Sequence, residues 1–156
     1  MSLIVTPAEI PDDLPIVRTL FREYADGLPV DLCTQNFDDE LMNLPGKYAA
    51  PEGCVLVARV GATPVGCVAL RPLDDGTCEM KRLYVRPNQR GTGAGRRLVE
   101  RLIAEARARG YPAMRLDTIP ALMPEAMGLY RKFGFVETQP YWNNILPGVG
   151  YFELWL

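Results

Sequence analysis

Histidine is missing from this chain of 156 residues. Its absence excludes Ser-His-Asp triads, Cys-His dyads and zinc sites that need imidazole ligands, so we expect no metal. Acid–base chemistry must use Asp, Glu, Tyr, Cys, Lys or water instead. Long apolar runs are also missing: no stretch approaches the roughly 18 residues that would span a bilayer. Residues 1–6 carry no basic segment typical of a secretory signal. We therefore expect neither a leader nor a membrane partner.

Cysteine is scarce, and its spacing gives no sign of a metal or redox motif. The four residues, Cys33, Cys54, Cys67 and Cys78, form no CxxC pair, and three of them sit in apolar, strand-like runs. No base stands near any of them in sequence, which disfavours a catalytic thiol. Buried, reduced core thiols are the expectation, and they favour a cytoplasmic protein.

The composition is that of an ordinary soluble domain, but the charge is unevenly distributed. Apolar residues make up 48% and charged residues 23%, and the length predicts a single domain over residues 1–156. Residues 1–80 carry a net charge of −8, whereas residues 81–110 carry +7. The basic block suits an anionic partner. Nucleic acid is not expected, because the block is short, holds one aromatic residue (Tyr84) and lies in an acidic protein.

Hydrophobic periodicity and turn residues predict one α/β (α+β) domain. Predicted helices cover residues 13–24, 38–44, 93–109 and 125–133, and predicted strands cover residues 3–5, 55–60, 65–70, 78–85, 113–117, 135–136 and 151–155. Asp12 or Asp13 is expected to cap the first helix. Short turns containing glycine predict antiparallel hairpins, and the helix before strand 113–117 predicts that this strand runs parallel to strand 78–85. The expected architecture is a central mixed, mostly antiparallel sheet flanked by helices.

A glycine-rich turn joins strand 78–85 to the strongest predicted helix. Its sequence is Arg90-Gly91-Thr92-Gly93-Ala94-Gly95-Arg96. The three glycines carry no Cβ, so backbone N–H groups can approach a ligand closely. The unpaired N–H groups of the first helical turn and the helix dipole add to this, and arginines flank the turn on both sides. The turn therefore predicts a phosphate or pyrophosphate site.

Other glycine-rich motifs fit this turn less well. The P-loop pattern is absent, since no Lys follows the glycines. A dinucleotide fingerprint would begin directly after the strand, whereas four residues separate Val85 from Arg90, and Asp117 stands 26 residues after Gly91 instead of about 20. A nucleotide-binding oxidoreductase is thus disfavoured, and a purely structural turn is the remaining alternative.

Three motifs together resemble the GNAT superfamily of N-acetyltransferases. Residues Arg90–Gly95 match the pattern [QR]-x-x-G-x-[GA], which in that superfamily binds the pyrophosphate of an acyl-CoA. Met80–Val85 before it, and Leu129–Phe135 after it, are also similar to that family, in the same order and spacing. The motifs cover roughly residues 55–137, and the order of elements extends the resemblance over the whole chain. The resemblance implies the acyl-CoA N-acyltransferase fold.

The resemblance implies that acetyl-CoA is the cosubstrate. The strand ending at Val85 would splay from the strand that carries Asp117, and the pantetheine arm would lie in the cleft between them. Backbone amides of Leu83 and Val85 would hold the arm. The implied cofactor-binding residues are Leu83, Tyr84, Val85, Arg90, Gly91, Thr92, Gly93, Ala94, Gly95, Arg96, Asp117 and Lys132. Relatives often carry an Asn shortly after the second strand, where this chain has Thr118-Ile119-Pro120.

The implied reaction is direct attack of a primary amine on acetyl-CoA in a ternary complex, with a small molecule or a peptide as acceptor. Tyr130 stands where such enzymes carry a general acid, although it also lies on the apolar stripe of its helix and can serve packing alone. Glu79 is the candidate general base. Alternatively, Glu79 is a surface residue paired with a neighbouring cation, and Asp117 or a chain of water molecules acts as the base. A non-catalytic acyl-CoA-binding regulatory module is the alternative function.

The acceptor and the assembly are less constrained. Arg71 ends an apolar strand, where it can pair with a substrate carboxylate or lie on the surface. The apolar C-terminal strand leaves a sheet edge, which favours a homodimer. Four aromatic residues fall in segments that frame the acceptor pocket of relatives, or simply pack: Tyr24, Phe37, Tyr141 and Trp142.

Overall fold

The computed structural model describes residues 2–32, 36–144 and 146–156. The helices are α1 (Leu14–Asp26), α2 (Phe37–Met42), α3 (Ala94–Ala108) and α4 (Pro124–Phe133). The strands are β1 (Leu3–Pro7), β2 (Cys54–Val60), β3 (Thr63–Pro72), β4 (Cys78–Val85), β5 (Ala113–Thr118), β6 (Val136–Glu137) and β7 (Gly150–Trp155). Each agrees with a predicted element to within a few residues.

The seven strands form one sheet in the order β1-β2-β3-β4-β5-β7-β6. Every neighbouring pair is antiparallel except β4 and β5, which run parallel because α3 connects them. Leu98 and Leu102 of α3 pack on one face of the sheet, and Leu20 and Phe21 of α1 pack on the other. The predicted mixed, mostly antiparallel sheet flanked by helices is thereby confirmed. Within the described ranges, no helix has the length and apolarity that crossing a membrane requires.

The predicted side-chain cap of α1 is wrong. Asp13 stands at the N-cap position but makes no capping hydrogen bond. Its carboxylate instead accepts hydrogen bonds from the Glu9 N–H at 2.8 Å and from Arg59 Nη2 at 3.1 Å. Long-range pairing with β2 therefore takes the carboxylate that local capping would have used.

Three of the cysteines are buried, free thiols, as expected. Cys67 Sγ donates to the Arg82 carbonyl and Cys78 Sγ to the Ala113 carbonyl. Burial raises the pKa of Cys54 to about 11 and that of Cys78 to about 12, so neither forms a thiolate near neutral pH. Cys33 lies outside the described residues.

A β-bulge interrupts β4 in its middle. Cys67 of β3 pairs with Tyr84 and Ala69 pairs with Lys81, so two residues of β4 stand opposite a single residue of β3. One of these two, Arg82, has a φ of 61°, in the left-handed region that a branched or long side chain seldom adopts. The bulge turns the second half of β4, and the sheet opens beside it.

Candidate active site

The parallel strands β4 and β5 stay together for only two residue pairs. Cys78 pairs with Met114 and Glu79 with Arg115, after which the strands part. The residues beyond this point line a narrow cleft with about 80 Å³ of free volume, and Tyr130 of α4 closes one side. The splayed geometry that the family resemblance implied is present in the structure.

Two backbone amides at the end of β4 face this cleft. The Arg86 N–H donates to the Val65 carbonyl on β3 at 2.8 Å. Because successive residues of a strand present their N–H groups to opposite edges, the amides of Leu83 and Val85 face the edge that β5 has left. The Tyr84 side chain lies on the α1 side, where its hydroxyl donates to Glu23 Oε1 at 3.1 Å. Tyr84 is not among the residues that line the cleft, because its main chain pairs with Cys67 of β3 and its side chain lies against α1.

The glycine-rich turn presents a row of unpaired amides. Gly91 and Gly93 have φ angles of 83° and 88°, which only glycine adopts without strain. The first main-chain bond of α3 runs from the Arg97 N–H to the Gly93 carbonyl, at 3.0 Å. In the part of the chain that the structure describes, no acceptor takes the N–H groups of residues 91–96. These amides and the positive end of the helix dipole form a site for an anion.

The space in front of the turn is open. A Cβ at Gly91 or Gly93 would meet no atom within 4 Å. Arg96 is exposed there, and Arg90 is exposed as well, with its Nε donating to the Val85 carbonyl at 3.0 Å. This hydrogen bond of Arg90 holds the turn next to the end of β4. The amides of Leu83 and Val85 therefore lie close to the amides of residues 91–96.

Tyr130 belongs to the core and also lines the cleft. Its ring is 7% exposed and packs against Phe135 with a centroid distance of 5.7 Å, so it belongs to the core. The same residue lines the cleft. Burial, followed by the charges of Tyr24 and Asp117, raises the pKa of Tyr130, so its phenol keeps its proton at physiological pH.

Glu79 is buried, so the alternative of a surface residue is wrong, although the pairing with a neighbouring cation that this alternative included is present. Only 2% of it is exposed. Its Oε1 lies 3.0 Å from Arg71 Nε, and its Oε2 accepts a hydrogen bond from the Tyr141 hydroxyl. Burial first, and then the charge of Glu79, raises the pKa of Tyr141, so Tyr141 remains a hydrogen-bond donor.

Asp117 is held by other side chains. Trp142 Nε1 and Asn144 Nδ2 donate to its Oδ2 at 3.0 and 2.9 Å, and Lys81 Nζ lies 3.8 Å from its Oδ1. The carboxylate therefore anchors the segment before β7 to the floor of the cleft. Asn144 lines the cleft as well, although nothing in its sequence context indicated this.

The structure does not bring Lys132 to the other predicted residues. Lys132 lies exposed in the last turn of α4. Ala126 and Tyr130, which line the cleft, are one helical turn apart and therefore share one face of α4. Position 132 projects from a different face of the helix. Nor do the residues of ranges 2–32, 36–144 and 146–156 include a group of three or more Cys, Asp and Glu placed to hold a metal ion.

A second, larger cavity of about 500 Å³ adjoins the cleft. We call it the acceptor chamber. Glu79 lines this chamber and Tyr130 lines the cleft; among the described lining residues, only Lys81 belongs to both. The chamber is lined by Asn36, Lys47, Arg71, Leu73, Asp74, Asp75, Glu79, Lys81, Arg115, Tyr141 and Trp142. An acyl donor in the cleft and an acceptor in the chamber would therefore meet beside Lys81.

Arg82 is the main structural residue that sequence reasoning missed. It is 3% exposed, and its Nε and Nη2 each donate to Glu40 of α2 at 2.9 Å. The guanidinium also stacks over the rings of Tyr24 and Phe37 at 5.9 and 5.1 Å. Both aromatic residues therefore pack around this buried cation, which holds α1 and α2 against the bulge of β4.

The fold and the paired cavities define a class of protein, an α/β domain with an anion site beside a split sheet. Residues 17–135 match the acetyltransferase (GNAT) family. An uncharacterised N-acetyltransferase of Schizosaccharomyces pombe is 44% identical over 155 residues, covering 98% of this chain and 94% of the relative. The chain belongs to the GNAT family, and its enzyme class is acetyl-CoA-dependent N-acetyltransferase.

Solved structures support the same fold. The PaiA N-acetyltransferase of Thermoplasma acidophilum, solved in complex with coenzyme A, has a TM-score of 0.77 at 18% identity, and 100% of each chain is covered. An acetyltransferase of Salmonella typhimurium solved with acetyl-CoA has a TM-score of 0.71 at 21% identity, with 99% of this chain and 94% of that chain covered. Both share the architecture of this chain.

Proposed function

We propose that this enzyme transfers the acetyl group of acetyl-CoA directly to a primary amine of a small molecule or peptide. The observation that carries the proposal is the parting of β4 from β5 immediately after Glu79 and Arg115, next to the unpaired amides of residues 91–96. A split sheet exposes main-chain donors along the cleft, and the turn adds a site for negative charge at its end. A ligand with an extended arm that ends in a pyrophosphate would pair with the main-chain donors of the cleft and fill the anion site.

The residues present fit acetyl-CoA. The amides of residues 91–96 would bind the pyrophosphate, with Arg90 and Arg96 adding positive charge beside it. The amides of Leu83 and Val85 would pair with the pantetheine arm along the free edge of β4. Acetyl-CoA supplies the acetyl group as a thioester. An N–H of β4 directed at the thioester oxygen would stabilise the negative charge that develops there.

The transfer needs three proton movements. The ammonium group first loses one proton and becomes a nucleophilic amine. As the amine nitrogen bonds to the acetyl carbon and the carbon–sulfur bond breaks, the nitrogen loses a second proton and the sulfur gains one. Glu79 would accept the proton from the ammonium group, because it lines the acceptor chamber, whereas Asp117 lines only the cleft. Tyr130 would donate to the sulfur, because its protonated phenol lines the cleft, and its phenolate would regain a proton from the nitrogen of the new amide.

Steady-state kinetics with release of free thiol tests these roles. We expect Tyr130→Phe and Glu79→Gln each to lower kcat about 10²-fold or more while acetyl-CoA affinity stays within about twofold. Glu100→Gln, on the exposed face of α3, is the matched control and should keep the wild-type kcat. Unchanged turnover in Tyr130→Phe would reduce that residue to packing, and unchanged turnover in Glu79→Gln would remove it as the base.

A further inference from the structure

Arg71 differs from the other cations of the acceptor chamber. Arg115 binds Asp75 and Glu153, Lys47 lies 3.2 Å from Glu40, and Lys81 lies 3.8 Å from Asp117. Each of these cations is therefore neutralised by a carboxylate of the protein itself, without a bound ligand. Arg71, in contrast, forms its one ion pair within the described residues with Glu79, the candidate base that lines the same chamber.

The geometry of that pair leaves the outer half of the Arg71 guanidinium available. Its Nε is buried and lies 3.0 Å from Glu79 Oε1, but in an orientation that makes no hydrogen bond. The side chain is nevertheless 30% exposed, and of its three nitrogens only Nε is both fully buried and without a hydrogen-bond partner, so the two terminal nitrogens keep contact with solvent. No acceptor among residues 2–32, 36–144 and 146–156 takes the N–H groups of these nitrogens. A planar fork of free N–H donors matches a carboxylate bidentately.

We propose that the acceptor is a free amino acid, bound with its carboxylate on the terminal nitrogens of Arg71 and its ammonium group at Glu79. This proposal rests on the proposed acetyl transfer and specifies its substrate. Arg71 and Glu79 place a positive and a negative charge side by side, 3.0 Å apart. A zwitterionic amino acid carries the opposite charges at a similar separation, so the two pairs of charges complement each other. The ammonium group thereby reaches the group proposed to deprotonate it.

The chamber walls are consistent with an apolar side chain on the acceptor. Leu73, Tyr141 and Trp142 line it together with the charged residues. An acceptor without a carboxylate would leave the fork of Arg71 unpaired inside the chamber. A site built to bind a polar group discriminates strongly against an analogue that lacks this group, because its own donors then lose their partner.

Competing acceptors test the proposal directly. The probes are L-leucine and L-phenylalanine, their primary amides, which imitate a peptide N-terminus, and the decarboxylated amines isopentylamine and phenethylamine. We expect kcat/KM for each amino acid to exceed that of its amide and its amine by roughly 10-fold to 100-fold, the usual size of a charge-assisted hydrogen bond. Equal or better turnover of the amides or amines would overturn the proposal.

Variants of Arg71 separate carboxylate binding from an effect through Glu79. Arg71→Gln should lower kcat/KM for the amino acids about 10-fold or more, mainly through KM, and change that for the amines by less than threefold. Arg71→Lys should recover part of the loss, since it keeps the charge without the fork. Arg107→Gln, exposed on α3, is the control. An equal loss for all substrates would show that Arg71 acts only on Glu79, which contradicts the proposal.

Calorimetry with acetyl-CoA distinguishes this inference from the proposed function. If acetyl-CoA binds and no amino acid is acetylated, the amino-acid acceptor is wrong and the cofactor site stands. If acetyl-CoA fails to bind, the proposed acetyl transfer itself is wrong.

Discussion

Substitution of Gly93 separates the two contributions that this glycine makes to the cofactor site. Gly93 is the N-cap of α3 with a φ of 88°, and a Cβ at this position would meet no atom within 4 Å. Gly93→Ala should therefore lower the free energy of unfolding by roughly 1–2 kcal/mol, because alanine must adopt the left-handed conformation, and it should introduce no steric clash. Its acetyl-CoA affinity should stay within a few-fold of wild type.

Gly93→Glu adds a carboxylate in front of the same amides. Two unit charges 4 Å apart repel by about 1 kcal/mol in water and about 4 kcal/mol at an effective dielectric constant of 20. A carboxylate beside a bound pyrophosphate should thus weaken binding between about 5-fold and 1,000-fold relative to Gly93→Ala. High salt should reduce the difference in acetyl-CoA affinity between the two variants, because it screens exposed charges.

Isothermal titration with acetyl-CoA at low and high salt measures this difference, and thermal unfolding checks that both variants fold with similar stability. An affinity of Gly93→Glu within threefold of Gly93→Ala would refute the assignment of the pyrophosphate to this turn.

Other predictions concern the support of the site. Arg82→Met leaves the buried Glu40 with Lys47 but without its bidentate partner, and should lower the free energy of unfolding by about 3 kcal/mol, measured by urea denaturation. Burial acts to raise the pKa of Glu40, but the hydrogen bonds and charge of Arg82 outweigh this effect and lower the pKa below 4.5. The stability that Glu40 contributes should therefore be complete above pH 4.5 and should fall as the pH drops through the lowered pKa. Glu40→Gln should flatten this part of the plot of unfolding free energy against pH. The thiols of Cys54 and Cys78 should resist a thiol reagent at pH 7 until the protein is unfolded; rapid labelling of the native state would contradict their burial. The exposed side chain of Trp155, on β7 next to the edge strand, favours a homodimer; sedimentation should show a dimer that Trp155→Glu dissociates, and a wild-type monomer would exclude it.

The elements and the glycine-rich turn were predictable because their signals are local. Helical periodicity, turn glycines and the match of Arg90–Gly95 to a family motif all lie within short windows of sequence. The parallel pairing of β4 and β5 followed from the helix between them. These features need no knowledge of distant contacts.

The surroundings of the proposed base were not predictable in the same way. The Tyr141 hydroxyl reaches Glu79 from 62 positions away along the chain. The bulge at Arg82 depends on a bidentate pair with Glu40, 42 positions away, and no local pattern marks either residue. A surface position was one alternative for Glu79, and burial is possible here because Arg71 lies beside one of its oxygens and the Tyr141 hydroxyl donates to the other.

A crystal structure of this enzyme with coenzyme A tests the central claim most directly. The account predicts pyrophosphate oxygens within 3.2 Å or so of several amides between Gly91 and Arg96, with the pantetheine arm between β4 and β5. Coenzyme A bound at another surface, with the turn and the cleft both empty, would contradict the account.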